Sequence, residues 1–178
     1  MPGLFTIEID DAAVLAALDH LRQSAVDPRP ALVAIGDALV ESTKHRFETA
    51  SGPDGTPWDA NSEVTILRYL GRAPSNFKKD GSLSKKGETA KGSKKPLAGK
   101  TGALKQQIRA EVDASELRVG ATMKYAAMQQ FGGAKDKFPW LWGDIPARPF
   151  LPIRSDGTLY ESARVTILEI LAEHIASD

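Results

Sequence analysis

The chain has 178 residues, of which 42% are hydrophobic and 26% charged, and it contains no cysteine. That length supports one domain with its own core, and the composition excludes a disulfide framework, a thiolate zinc site and a cysteine nucleophile. The 23 basic and 23 acidic residues cancel overall, yet residues 72–100 hold nine basic and two acidic side chains, so a +7 segment interrupts a −7 body, an asymmetry that marks a partner surface.

The first residues, Met1-Pro2-Gly3-Leu4-Phe5, have neither a basic stretch nor an apolar stretch of the secretory kind. No apolar run approaches the ~20 residues of a membrane span, so cytoplasmic synthesis and no membrane contact are expected. Phe5-Thr6-Ile7-Glu8-Ile9 alternates with period two and predicts a strand. Asp10 or Asp11 then caps a helix whose apolar face is Val14, Leu15, Leu18 and Leu21. Asp27-Pro28-Arg29-Pro30 breaks it and starts a longer helix, since proline is tolerated in a first turn. Leu32, Ile35, Gly36, Leu39, Val40, Thr43 and Phe47 form its buried stripe, which ends near Ala50-Ser51-Gly52. A run of turn formers leads to Trp58, a residue placed to plug the edge of a core. Residues 61–70 predict a short helix with Val64, Leu67 and Leu70 on one side.

Residues 71–100 are rich in Lys, Gly and Ser and nearly free of apolar side chains. Such a segment cannot bury enough surface to offset its ordering entropy, so it reads as a flexible basic insertion within a single domain spanning 1–178. Its lysines Lys78, Lys79, Lys85, Lys86, Lys91, Lys94 and Lys95 fit three roles: a solvated loop, an arm docking on an acidic protein, or a non-specific contact to nucleic acid phosphates. With Phe77 the only aromatic nearby, base stacking is not expected.

Beyond it, residues 101–108 predict a helical turn, and Ile108–Asp113 with Glu116–Ala121 predict a hairpin. Residues 123–131 predict a short helix stopped by Gly132-Gly133. Phe138, Trp140, Leu141 and Trp142 lie in a Pro-rich loop and suit either core or an interface anchor. Pro146 and Pro149 keep the next segment extended, sending Phe150 and Leu151 inward. Arg148 is then available for a forked contact to a carboxylate, either locally or across an interface. Residues 159–175 predict a final helix buried through Val165, Leu168, Leu171 and Ile175. The sum is an α+β fold, a small and mostly antiparallel sheet packed with N-terminal and C-terminal helices and interrupted by the Lys-rich loop.

No catalytic set emerges. Gly99-Lys100-Thr101 resembles the end of a phosphate-binding loop, but Lys94 stands where the motif needs glycine. His20, His45 and His174 fall on separate helices. Asp10 and Asp11 are adjacent in an extended segment and point apart. The expectation is a protein without enzymatic activity, bound metal or cofactor.

Two elements are distinctive in type: Tyr125-Ala126-Ala127-Met128-Gln129-Gln130-Phe131-Gly132-Gly133, and Ile145-Pro146-Ala147-Arg148-Pro149-Phe150-Leu151. With Gly55-Thr56-Pro57-Trp58 and Leu97-Ala98-Gly99-Lys100-Thr101-Gly102-Ala103-Leu104 before them, their order resembles the phage virion morphogenesis family, the tail completion proteins of contractile-tailed phages. One departure is Gln129, where members often carry histidine. The resemblance implies a virion protein of the tail or neck, made in the host cytoplasm. It would complete the tail and help join it to the head as a ring, with sixfold symmetry. Its partners would be other copies of itself, the tail tube or tail terminator, and the head connector. Tyr125, Gln130, Phe131, Trp140, Trp142, Arg148 and Phe150 are then the expected assembly contacts. A head-side adaptor or capsid assembly role is the nearest alternative, and a nucleic-acid-binding accessory factor using the lysines is the alternative of another class.

Overall fold

The computed structural model describes residues 11–23, 27–99, 101–141 and 143–176, with the backbone alone for 21–23. Among them are seven α-helices and one antiparallel hairpin, an α+β arrangement as expected. The strand expected at residues 5–9 lies outside the described residues.

Helix α1 (Ala12–Gln23) starts at Asp11, whose Oδ1 accepts from the backbone N–H groups of Ala13 and Val14 at 3.1 and 3.2 Å. Val14 is buried, but Leu15 is 46% exposed, so the apolar face is narrower than the spacing predicts. Helix α2 (Arg29–Thr49) begins on Pro28 and Pro30 and buries Leu32, Ile35, Gly36, Leu39, Thr43 and Phe47. It lies across the hairpin formed by β1 (Ile108–Asp113) and β2 (Glu116–Ala121), paired in register from Ile108↔Ala121 to Asp113↔Glu116. Gly36 permits this approach: a Cβ there would sit 2.9 Å from Ala110 Cβ and 3.0 Å from Leu117 Cδ1.

Helix α2 touches both halves of the core. Its N-terminal part joins Val14 and Helix α7 (Glu161–Ala176) in one cluster, where Ala163, Ile167 and Leu171 are buried. Val165 is 42% exposed, so the buried face of α7 is rotated from the expected one. Its C-terminal end carries Phe47 into a second cluster with Trp58, Ile108, Phe150 and Leu151. Phe47 meets Trp58 edge-on at a centroid distance of 5.4 Å and Phe150 at 5.5 Å.

Residues 71–99 depart from the expected unstructured loop. Helix α3 (Glu63–Leu70) is capped by Ser62 and leads into a 3-10 turn, Pro74–Asn76, and a tight turn closed by the Phe77↔Leu83 bridge. Helix α4 (Lys85–Ser93) follows, capped by Ser84. Polar groups organise this segment in place of an apolar core. Asn76, 5% exposed, donates from Nδ2 to Leu70 O at 2.9 Å, and its backbone carbonyl accepts from Ser84 N at 2.9 Å. Gly87 packs so closely on Asn76 that a Cβ would lie 2.1 Å from its carbonyl oxygen. Main-chain hydrogen bonds, which composition does not register, shape this segment. The face expected on α3 also fails: Leu70 is buried, whereas Val64 and Leu67 are 63% and 59% exposed.

Candidate functional site

The two distinctive sequence elements fold onto each other. Helix α6 (Ala126–Phe131), which follows the four-residue helix α5 (Ala103–Gln106) and the hairpin, ends at Gly132 with φ +75°. A side chain at Gly132 would meet Ala147 N and Ile145 O at 2.9 Å each. Gly133 and Ile145 then exchange a pair of backbone hydrogen bonds at 2.9 and 2.8 Å, and Arg148 N donates to Gln129 O at 2.8 Å. The aromatic loop is therefore an excursion out of one closed joint.

Gln130 locks that joint from inside. Its Oε1 accepts from Phe150 N and Leu151 N, both at 2.9 Å, and its Nε2 donates to Ile153 O at 3.0 Å and Leu151 O at 3.3 Å. A single side-chain amide thus replaces a neighbouring strand for residues 150–153. Arg148 is 8% exposed, and its guanidinium donates to the carbonyls of Asp59 and Ala60 at 2.9 Å each. The forked contact is made to main-chain oxygens and not to a carboxylate; burial holds the guanidinium pKa below its ordinary value. Arg46, also 8% exposed, donates to Phe150 O at 2.8 Å, and Trp58 Nε1 donates to Pro149 O at 2.9 Å.

Of the residues expected at an assembly face, Gln130 and Phe150 are interior, at 2% and 0% exposed, and Arg148 is nearly so. The inward course of Phe150 agrees with the extended, proline-bounded segment, whereas the sequence around Gln130 and Arg148 gave no sign of burial, because their partners are main-chain groups from distant segments. Tyr125, Phe131 and Trp140 remain at the surface, with Trp140 72% exposed and stacked edge-on against Phe138 at 5.4 Å. Trp142 lies outside the described residues. Of the lysines, Lys78, Lys79, Lys85, Lys86, Lys91 and Lys95 are exposed, and Lys94 is half-buried.

Beside the joint lies a cleft of about 700 Å³. One wall is α3 and the residues after it, another is the chain from Lys94 to Leu104, and the third is Tyr125, Gln129 and the segment around Pro146. Arg68, Arg72 and Lys94 face it, and Lys94 Nζ stands 5.1 Å from the centroid of the Tyr69 ring. Burial, followed by the neighbouring Arg72 charge, holds the Lys94 ammonium below its ordinary pKa. Sequence reasoning missed Arg68, Arg72 and Tyr69 as site residues; the signal available was the four-residue spacing between Arg68 on α3 and Arg72 just after it. No cluster of acidic and histidine side chains suited to a metal occurs among the described residues.

A family model, the phage virion morphogenesis family, matches residues 9–176. The chain belongs to the phage virion morphogenesis family. The match covers both joined elements, the cleft and all of the described helices. Neither the curated proteins nor the solved structures that were searched gave a match. Among the described residues, no helix is long and apolar enough to cross a membrane.

Proposed function

We propose that this chain is a non-enzymatic structural protein of the phage tail or neck. It completes the tail and helps join it to the head connector as one subunit of a ring, with sixfold symmetry. One observation carries the reading. The polar side chains of the distinctive elements, Gln130 and Arg148, bind main-chain groups of their own chain, whereas Tyr125, Phe131 and Trp140 from the same elements and the loop between them stay at the surface. A rigid joint that holds large aromatic groups outward suits assembly, because aromatic anchors on a fixed backbone lose little entropy on binding. A ring further needs two complementary surfaces on each subunit. The exposed aromatic groups and the exposed lysines are the candidates for them.

The exposure of Lys78, Lys79, Lys85 and Lys86 favours a second reading, contact with packaged nucleic acid through phosphates. A head-side adaptor would use the same surfaces against a different neighbour. Light scattering of the purified protein, with and without purified tails, separates these. A 19.2 kDa monomer that forms a ring on tails, or a ring already stable in solution, supports tail completion. A monomer that ignores tails and binds DNA at low salt overturns it in favour of the nucleic acid reading, and binding to heads alone favours the adaptor.

A further inference from the structure

The cleft beside the joint has an unbalanced charge. Arg68, Arg72 and Lys94 line it, yet among the described residues no carboxylate lies within ion-pair distance of any of them. The one carboxylate on its lining, Asp144, pairs with none of the three and has its Oδ1 bonded to Lys135 N at 2.8 Å, so the four groups together leave a net +2. The walls are not all polar, since Leu97, Leu104, Ile145 and Pro146 contribute apolar surface to them. Leu97 holds φ +55°, a left-handed conformation unfavourable for a side chain of this kind, and this shapes the wall opposite α3. Cations, apolar groups and the half-exposed Tyr125 in one lining match a chain that carries both acidic and apolar side chains.

We propose that this cleft is a docking site for an acidic polypeptide segment of a partner protein, with Arg68, Arg72 and Lys94 binding its carboxylates and the apolar lining taking its apolar side chains. The inference names the partner chemistry of one proposed assembly surface and rests on that reading. A protein segment fits better than nucleic acid for two reasons. The apolar lining offers nothing to a phosphate backbone, and of the two tyrosine rings on the cleft Tyr69 is already covered by Lys94, which leaves Tyr125 alone for a base to stack on. Charge complementarity also supplies a source, because the chain outside residues 72–100 carries a net −7 and a neighbouring copy therefore brings an excess of carboxylates.

The test is fluorescence anisotropy with a labelled hexapeptide of alternating glutamate and leucine, with the lysine–leucine hexapeptide as charge control and an oligothymidylate as competitor. The expected result is salt-sensitive binding of the acidic peptide, weakened about tenfold or more by the double variant Arg72→Gln/Lys94→Gln. The triple variant Lys78→Gln/Lys85→Gln/Lys86→Gln, outside the cleft, should change it less than about twofold. Circular dichroism checks that both variants are folded. Absence of binding, equal loss in the two variants, or stronger competition by oligothymidylate than by unlabelled acidic peptide would overturn the proposal. The assay needs no virion, so its failure is separable from failure of the tail reading, which the light-scattering experiment on tails decides.

Discussion

The side-chain carbonyl of Gln130 accepts the backbone N–H of Phe150 at 2.9 Å, tying the end of α6 to a segment twenty residues further along the chain. Both residues are buried, and the same amide also serves Leu151 and Ile153. The joint around the cleft therefore depends on one polar side chain at its centre.

Gln130→Ala should be among the most destabilising single changes to this region. It leaves Phe150 N and Leu151 N buried without acceptors, at a cost of about 1–3 kcal/mol for each. A loss of about 2–4 kcal/mol in urea denaturation is the expected outcome, and a loss below about 0.5 kcal/mol would show that the joint is held by other means.

Gly87→Ala should act locally. The new Cβ would fall 2.1 Å from Asn76 O, so α4 and the 3-10 turn must separate. Residues 72–95 contribute nothing to either buried core cluster, so hydrogen exchange should rise across this segment while the helices α2 and α7 keep their protection. Equal loss of protection throughout would mean that the basic segment is integral to the fold.

Trp140→Ala separates stability from assembly. At 72% exposure the ring contributes little to the fold, so a stability change within about 0.5 kcal/mol is expected. Complementation of a phage lacking the gene should nevertheless fall, with unjoined heads and tails counted by electron microscopy. Full complementation would remove Trp140 from the assembly surface.

Lys94 gives a pH signature. Its folded pKa lies below 10.5 because burial and then Arg72 disfavour the ammonium. Between that folded value and 10.5 the unfolded chain holds the proton more tightly, so Lys94 adds stability as pH rises through this window. NMR titration of the Lys94 side chain should show the lowered value, and Arg72→Gln should move it upward. No movement would leave burial alone as the cause.

Local sequence patterns determined the long helix α2, its start at Asp27-Pro28-Arg29-Pro30 and its stripe from Leu32 to Phe47, as well as the two strands of the hairpin. These features are set by local chemistry: proline geometry, a 3.6-residue apolar repeat and a two-residue turn. The distinctive motifs were also sufficient to suggest the family. What the tertiary structure decided was which faces found a partner. Val64 and Leu67 repeat as regularly as the α2 stripe but remain exposed, because an apolar period identifies a face and not what covers it. Gln130, Arg148 and Asn76 are buried for the complementary reason. Their partners are carbonyls and N–H groups brought together only by the fold, and no local pattern in the sequence encodes a main-chain group that arrives from elsewhere.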